Sequence, residues 1–252
     1  MVSGVIRRYS GASMPPPKLL YVDCGCCAQP TSSERGEKQT QLQKRFDGWP
    51  DLNILDIYHF MRRLALGTTT DAHPLFPTSM SRLSACIFEW DMGDVALLRR
   101  YKKEQLKQDG RPGITDAMVD ANISKDELAL YCRRRTRKVD DTKRLIGRLL
   151  AELTGDKGRA LLSVPLLDSE KMERIWDIQQ RHIKCLREVE NVPLYTEVGT
   201  TSKLGVTLTK YRCARGSSSL ESFHLHLNRF IPGEFGWDIY VIDLIHCSIT
   251  SY

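Results

Sequence analysis

The sequence predicts an α/β protein in which a parallel pair of strands is separated from later core elements by a large, mostly helical insertion. Two apolar segments, Leu19–Val22 and Leu52–Ile57, reach an aspartate at or near their ends, Asp23 and Asp56. Short continuous apolar runs are typical of strands buried on both faces. Between residues 67 and 190, apolar residues recur mostly at helical spacing.

Composition limits the class of protein. The chain has 252 residues, 41% of them apolar and 27% charged, with a formal net charge of +6. One large domain, or one domain with an insertion, is expected, and the mild basicity permits a polyanionic partner. No apolar run approaches the roughly 18 residues of a membrane span. With no signal peptide at the N-terminus, the eight cysteines indicate reduced thiols in a nuclear or cytoplasmic protein that is not secreted.

The connections between elements favour a parallel arrangement of the first two strands. The strand at residues 18–23 and the strand at residues 52–57 are joined by a polar segment and a short helix, and a helix at residues 58–66 follows at once. A connection of this length permits the right-handed crossover of adjacent parallel strands.

Later elements are marked by caps and turns. Residues 80–90 and 115–137 are expected to be helical, and Asp168 or Ser169 caps a helix that runs to about residue 187. Strands on either side of Gly199–Gly205 predict a hairpin. A helix at residues 220–231 follows, and then a strand-like tail.

Four polar residues form a candidate metal site. Asp23 and Asp56 stand at strand ends, His59 follows Asp56 by three residues, and Glu221 opens the last helix. Side chains at the carboxyl ends of parallel strands face the crevice where ligands bind, and paired carboxylates hold the ions of two-metal phosphoryl transfer. The alternative is that the acids are loop or helix caps; for Asp56, a cap and a ligand role are compatible.

A basic run is the strongest charge feature of the chain. It comprises Arg133, Arg134, Arg135, Arg137 and Lys138, and residues 94–148 hold 15 Lys and Arg against 9 Asp and Glu. Contact with a nucleic-acid backbone is one interpretation. A solvated helix face with ion pairs is the other.

The cysteines do not form a zinc-finger pattern. Cys24, Cys26 and Cys27 lie together, but no second pair stands at the usual spacing, and the other five are scattered. Reduced structural thiols are therefore expected rather than a zinc site.

The motifs together resemble those of a known family. Tyr-Val-Asp at residues 21–23, Asp-Ile-Tyr-His-Phe-Met-Arg-Arg at 56–63 and Ser-Leu-Glu-Ser-Phe-His-Leu-His-Leu-Asn-Arg at 219–229 resemble the DDE transposases of RNase H-like fold. The similarity is greatest to transposon-derived proteins of the Kyakuja–Dileera–Zisupton kind, and it covers residues 15–233.

The resemblance implies a partial RNase H-like sheet with a helical insertion, and a protein that handles DNA with Mg²⁺ or Mn²⁺. Asp23 and Glu221 would be catalytic metal ligands, supported by Asp56 and His59. The implied segments are a core at 1–66, an insertion at 67–190, a hairpin and core helix at 191–233, and a divergent tail at 234–252. A homo-oligomer is compatible with this scheme.

One departure from the family concerns catalysis. The family carries its first catalytic Asp on an earlier strand, whereas residues 1–18 contain no Asp or Glu. The expectation is a transposase fragment that is catalytically incomplete. Two alternatives stay open: a non-catalytic DNA-binding or protein-interaction protein on the same scaffold, and an unrelated helical protein whose acids are caps.

The chain is predicted not to nick or join DNA, because two-metal catalysis needs all of its shared carboxylates in place. The measurement is an Mg²⁺- or Mn²⁺-dependent nicking assay on supercoiled DNA, beside an Asp23→Ala control. Metal-dependent nicking that disappears in the control would show that the first carboxylate has been misplaced.

Overall fold

The computed structural model describes residues 2–22, 26, 53–159, 164–203, 205–216 and 248–249, and these form a mixed α/β structure with small sheets. The predicted helix at residues 220–231 lies outside the described residues, as do Asp23 and Glu221. No helix in the described ranges is both long and apolar enough to cross a membrane.

The chain divides into two compact units. The first, here called the sheet unit, contains Met1–Ser84, Val139–Val192 and Gly216–Tyr252. The second, here called the basic unit, contains Ala85–Lys138 and Pro193–Arg215. The four segments implied by the family resemblance are a different partition and stay a prediction.

The sheet unit contains the predicted parallel pair of strands. Strand β1 (Leu20–Val22) pairs in parallel with β2 (Asn53–Leu55), which confirms that prediction. On its other edge β1 pairs antiparallel with a short strand near the C-terminus, Ser248–Ile249. The side chains of β1 are all buried, as the continuous apolar run requires.

The sheet unit also contains most of the longer helices of the described chain. They are α1 (Val2–Gly11), α2 (Ile57–Ala65), α3 (Phe76–Ile87), whose last residues belong to the basic unit, and, later in the chain, Val139–Thr154 and Ser169–Gln179. A 3₁₀ turn, η1, covers Asp156–Gly158.

The helix predicted to run to about residue 187 has two parts. Asp168 is the N-cap, as predicted, and the side chain of Asp168 accepts a hydrogen bond from the backbone N–H of Lys171. The α-helix, however, ends at Gln179 and continues as a 3₁₀ helix, η2 (Gln180–Cys185). The tighter turn brings residues three apart onto one side.

The basic unit contains more strand than the sequence predicted. Two expected helices end early, because Phe88–Trp90 (β3) pairs antiparallel with Arg134–Thr136 (β4). The prediction of helix through residues 90 and 137 was therefore wrong at both places. Cys132, buried and extended at φ −120° and ψ 130°, ends the preceding helix.

Between β3 and β4 lie three capped helices. They are α4 (Met92–Gln108), α5 (Asp116–Ala121) and α6 (Lys125–Tyr131), with N-caps Asp91, Thr115 and Ser124. In chain order the later α-helices are α7 (Val139–Thr154) and α8 (Ser169–Gln179). Leu98, Cys132, Val206 and Leu208 form a buried cluster in the basic unit.

The predicted hairpin is confirmed, with longer strands than expected. Strand β5 (Tyr195–Lys203) pairs antiparallel with β6 (Val206–Cys213), and the C-terminal strand Ser248–Ile249 is β7. Gly199, expected in the loop, lies within β5 beside a register shift, where its φ of 152° suits glycine.

Two glycines of the sheet unit give opposite predictions. A Cβ at Gly158 would lie 1.6 Å from the carbonyl oxygen of Leu153, whereas one at Gly147, inside α7, would meet nothing within 4 Å. Gly158→Ala should therefore destabilise the protein by at least about 1 kcal/mol, and Gly147→Ala should stabilise it by about 1 kcal/mol. Urea unfolding followed by circular dichroism measures both. Equal midpoints for the two variants would contradict the packing at Gly158.

Candidate functional site

Asp56 lies where the sequence predicted, at the end of β2, and it is buried. Its Oδ1 accepts from Tyr58 N at 2.8 Å and from His59 N at 3.2 Å, so it is the N-cap of α2. A Cβ added at Gly216 would stand 3.0 Å from Asp56 Oδ2. The cap interpretation is thus confirmed, and the ligand interpretation stays a prediction.

His59 is half-buried, and its ring meets that of Tyr58 edge to face at 5.4 Å. Asp23 and Glu221 lie outside the described residues. The carboxylate site therefore stays a prediction from the sequence.

The basic run lies on and around strand β4, so the expected helix face is wrong. Three of its arginines form ion pairs with carboxylates of the same unit. Arg133 Nε lies 2.8 Å from Asp94, Arg135 Nε lies 2.6 Å from Glu89, and Arg137 Nη1 lies 2.9 Å from the other oxygen of Glu89. Cross-strand pairing of Glu89 with Arg135 fixes this geometry.

Arg134 is held by aromatic side chains rather than by an acid. Its guanidinium lies 4.2 Å from the ring centre of Phe88 and 5.8 Å from that of Trp90, within cation–π range. The backbone N–H of Arg134 donates to Tyr195 Oη at 3.0 Å, and Arg215 stacks on Phe88 from 5.1 Å. These contacts give Arg134 a structural role that joins β4 to the hairpin.

Asp94 joins the start of α4 to the start of β4. It accepts from the backbone N–H of Arg133 at 2.9 Å as well as from the guanidinium. Burial raises the pKa of Asp94, but these hydrogen bonds and the charge of Arg133 have the larger combined effect, so the pKa of Asp94 is lowered.

Cys132 lies close to this pair. Burial and the nearby carboxylates of Asp94 and Asp91 raise the pKa of Cys132 to about 12, which makes it an unreactive thiol.

The positive charge of the whole chain belongs to the basic unit. Its two segments hold 16 Lys and Arg against 10 Asp and Glu, an excess of six that equals the net charge of the chain. Several exposed cations of this unit have no ion-pair partner within the described ranges: Arg100, Arg111, Lys125, Lys138 and Arg212.

A second group of polar side chains lies in the sheet unit and was not predicted. Cys26, His182 and Cys185 each offer a ligand atom, and these atoms all lie within 4.8 Å of one another. Cys26 Sγ is 3.3 Å from His182 Nδ1, and Cys185 Sγ is 3.7 Å from the carbonyl oxygen of Cys26. Both cysteines carry reduced thiols.

A local signal for this group existed in the sequence. His182 and Cys185 stand three residues apart, a spacing that puts two ligands on one side of a helical turn. Their third member, Cys26, is 156 residues from His182, so only the fold reveals it.

Cations surround the histidine of this group. Burial first, and then the charges of Arg63, Arg181 and Lys184, lower the pKa of His182. These effects favour the neutral ring, which is the form of imidazole that binds a metal.

Comparison with known proteins gives no match to this chain among family models, curated proteins or solved structures.

Asp94→Ala should destabilise the protein at neutral pH by about 1–3 kcal/mol, because the half-buried acceptor of three Arg133 donors, its backbone N–H and two guanidinium nitrogens, is removed. Its side chain is only 12% exposed. Arg135→Ala, at a side chain 72% exposed, should cost less than about 1 kcal/mol. Urea unfolding at neutral pH measures both costs.

The cost of Asp94→Ala should also depend on pH. A carboxylate with a lowered folded pKa contributes stability above its ordinary value of 3.8 and loses it as the pH falls through the folded value. The difference between wild type and variant should therefore shrink in acid. A difference that grows in acid would contradict the ionised Asp94–Arg133 pair.

Proposed function

We propose that this chain is a transposase-like protein that handles DNA without cutting it, and that it contacts DNA through the basic unit. The observation that carries the proposal is the separation of charge. The basic unit has an excess of six positive charges, whereas the sheet unit has equal numbers of acidic and basic residues. A cationic region of this kind attracts the phosphate backbone regardless of sequence.

Two features of the sheet unit support the transposase-like part of the proposal. Strands β1 and β2 are parallel, and Asp56 directly follows β2. The resemblance to DDE transposases implies this relation between an RNase H-like strand and an acid at its end. A DNA partner would make the nucleus the place of action, and Mg²⁺ or Mn²⁺ would be bound by Asp23 and Glu221 if the site were complete.

The phosphate contacts are assigned to exposed cations without an ion-pair partner in the described residues, including Lys138 at the end of the basic run, rather than to the four arginines of that run. Arg133, Arg135 and Arg137 already neutralise Asp94 and Glu89, and Arg134 is stacked on aromatic rings. Using those arginines for DNA would require breaking contacts within the unit. Exposed residues such as Arg111, Lys125 and Lys138 carry no such cost. Binding is then weak and independent of sequence, with a Kd of about 10⁻⁴–10⁻⁶ M at physiological salt.

The combined variant Arg111→Gln, Lys125→Gln and Lys138→Gln should bind a DNA duplex more weakly than wild type. It should also flatten the plot of log affinity against log salt by about 0.9 for each phosphate that the variant no longer neutralises. Fluorescence anisotropy with a labelled duplex at several salt concentrations measures both quantities.

The sheet unit offers a matched control with one arginine and two lysines. Lys143, Arg148 and Lys171 are exposed, and none of them has an ion-pair partner in the described part of the chain. The Lys143→Gln, Arg148→Gln and Lys171→Gln variant removes the same charge and should bind DNA nearly as wild type does. If both triple variants lose affinity equally, net charge alone governs binding and the basic unit is not the DNA site. No salt-dependent binding by wild type would favour the protein-interaction alternative.

A further inference from the structure

The group formed by Cys26, His182 and Cys185 has no part in the proposed DNA contacts, because all three residues belong to the sheet unit. We propose that these three side chains bind one zinc ion, through the two sulfurs and His182 Nδ1.

The spacing of the ligand atoms fits such an ion. In a tetrahedral site with Zn–S of about 2.3 Å and Zn–N of about 2.0–2.1 Å, neighbouring ligand atoms are about 3.5–3.8 Å apart. Cys26 Sγ and His182 Nδ1 are 3.3 Å apart, and no pair among the three ligand atoms exceeds 4.8 Å. Small side-chain rotations would bring all three onto one ion.

Local structure explains why two of the ligands point the same way. His182 and Cys185 lie on η2, where three residues complete one 3₁₀ turn and side chains at i and i+3 eclipse. Cys185 is buried, and both Cys26 and His182 are half-buried. The ligands are thus partly shielded from water before any ion arrives.

Ligand chemistry selects zinc over the ions expected at the carboxylate site. Two thiolates and an imidazole are soft or borderline ligands, which suit Zn²⁺, whereas Mg²⁺ and Mn²⁺ prefer oxygen. Two thiolates neutralise the charge of the ion. Three protein ligands leave a fourth position for water or another side chain.

The ion would join segments far apart in sequence. Cys26 follows β1 by four residues, and η2 packs against β2 and against α7. Because zinc binds the folded arrangement of these ligands, its binding free energy adds to the stability of the sheet unit. The inferred role of the ion is structural: it would link Cys26 to η2.

The first experiment measures metal content and coordination. The reduced protein, purified without a metal-affinity step, should contain one zinc ion per chain, as measured by inductively coupled plasma mass spectrometry. Stripped with a chelator and titrated with Co²⁺, it should develop the near-ultraviolet band of thiolate-to-cobalt charge transfer and the visible bands of tetrahedral Co²⁺. Zinc should displace the cobalt and raise the melting temperature of the stripped protein.

Variants assign the ligands. Cys26→Ser and Cys185→Ser should each lower zinc affinity at least tenfold and weaken the charge-transfer band, and His182→Ala should abolish the tetrahedral spectrum. Cys213→Ser, at an exposed cysteine of the basic unit, should match wild type. Cys185→His keeps three ligands and should retain zinc with a weaker sulfur band, which distinguishes a missing ligand from a failure to fold.

Three results would overturn the proposal. The first is that the reduced wild type does not bind zinc. The second is that the Cys26 and Cys185 variants bind zinc as tightly as wild type does. The third is that peptide mapping finds a Cys26–Cys185 disulfide in protein kept under thiol-reducing conditions.

Discussion

The sheet unit depends on the pairing of two strands of only three residues each. The backbone ladder between β1 and β2 extends one residue further, where Asp56 N donates to Val22 O at 2.9 Å. The same Asp56 then turns the chain and caps α2, so the ladder fixes where that helix begins. Burial of every side chain in β1 supplies the stabilisation that so short a ladder lacks by itself.

In the basic unit, arginine contacts add to the packing of the buried apolar cluster. Asp94 holds the backbone and guanidinium of Arg133, while Phe88 lies within cation–π range of both Arg134 and Arg215. The strongest charge signal in the sequence therefore marks a structural network. In the proposed function, the charge available to a polyanion comes instead from exposed cations such as Arg111 and Lys125, which lie outside that run.

The sequence predicted those elements that depend on neighbouring residues and missed those that depend on residues distant in the chain. The parallel strands, the cap at Asp168 and the hairpin were predictable because apolar runs, cap residues and turn residues act over a few positions. Strands β3 and β4 were missed because each owes its extended form to its partner, about 46 residues away. Asp56 was placed correctly as a cap, whereas the predicted carboxylate ligands Asp23 and Glu221 lie outside the described residues.

In the Cys26–His182–Cys185 group, only the spacing of His182 and Cys185 was visible in the sequence, since Cys26 joins them through the fold and lies 156 residues from His182. Its chemistry also differs from that of the predicted carboxylate site. Sulfur and nitrogen ligands in a partly buried position bind zinc tightly, whereas carboxylates at a strand edge exchange Mg²⁺ or Mn²⁺ with solvent.

A chelator would therefore act on this chain in two separable ways. Loss of zinc lowers the stability of the sheet unit, and Mg²⁺ does not restore it because it is a poor partner for thiolates. An effect of chelation on DNA binding that zinc alone reverses would thus reflect folding, and not chemistry at Asp23 and Glu221.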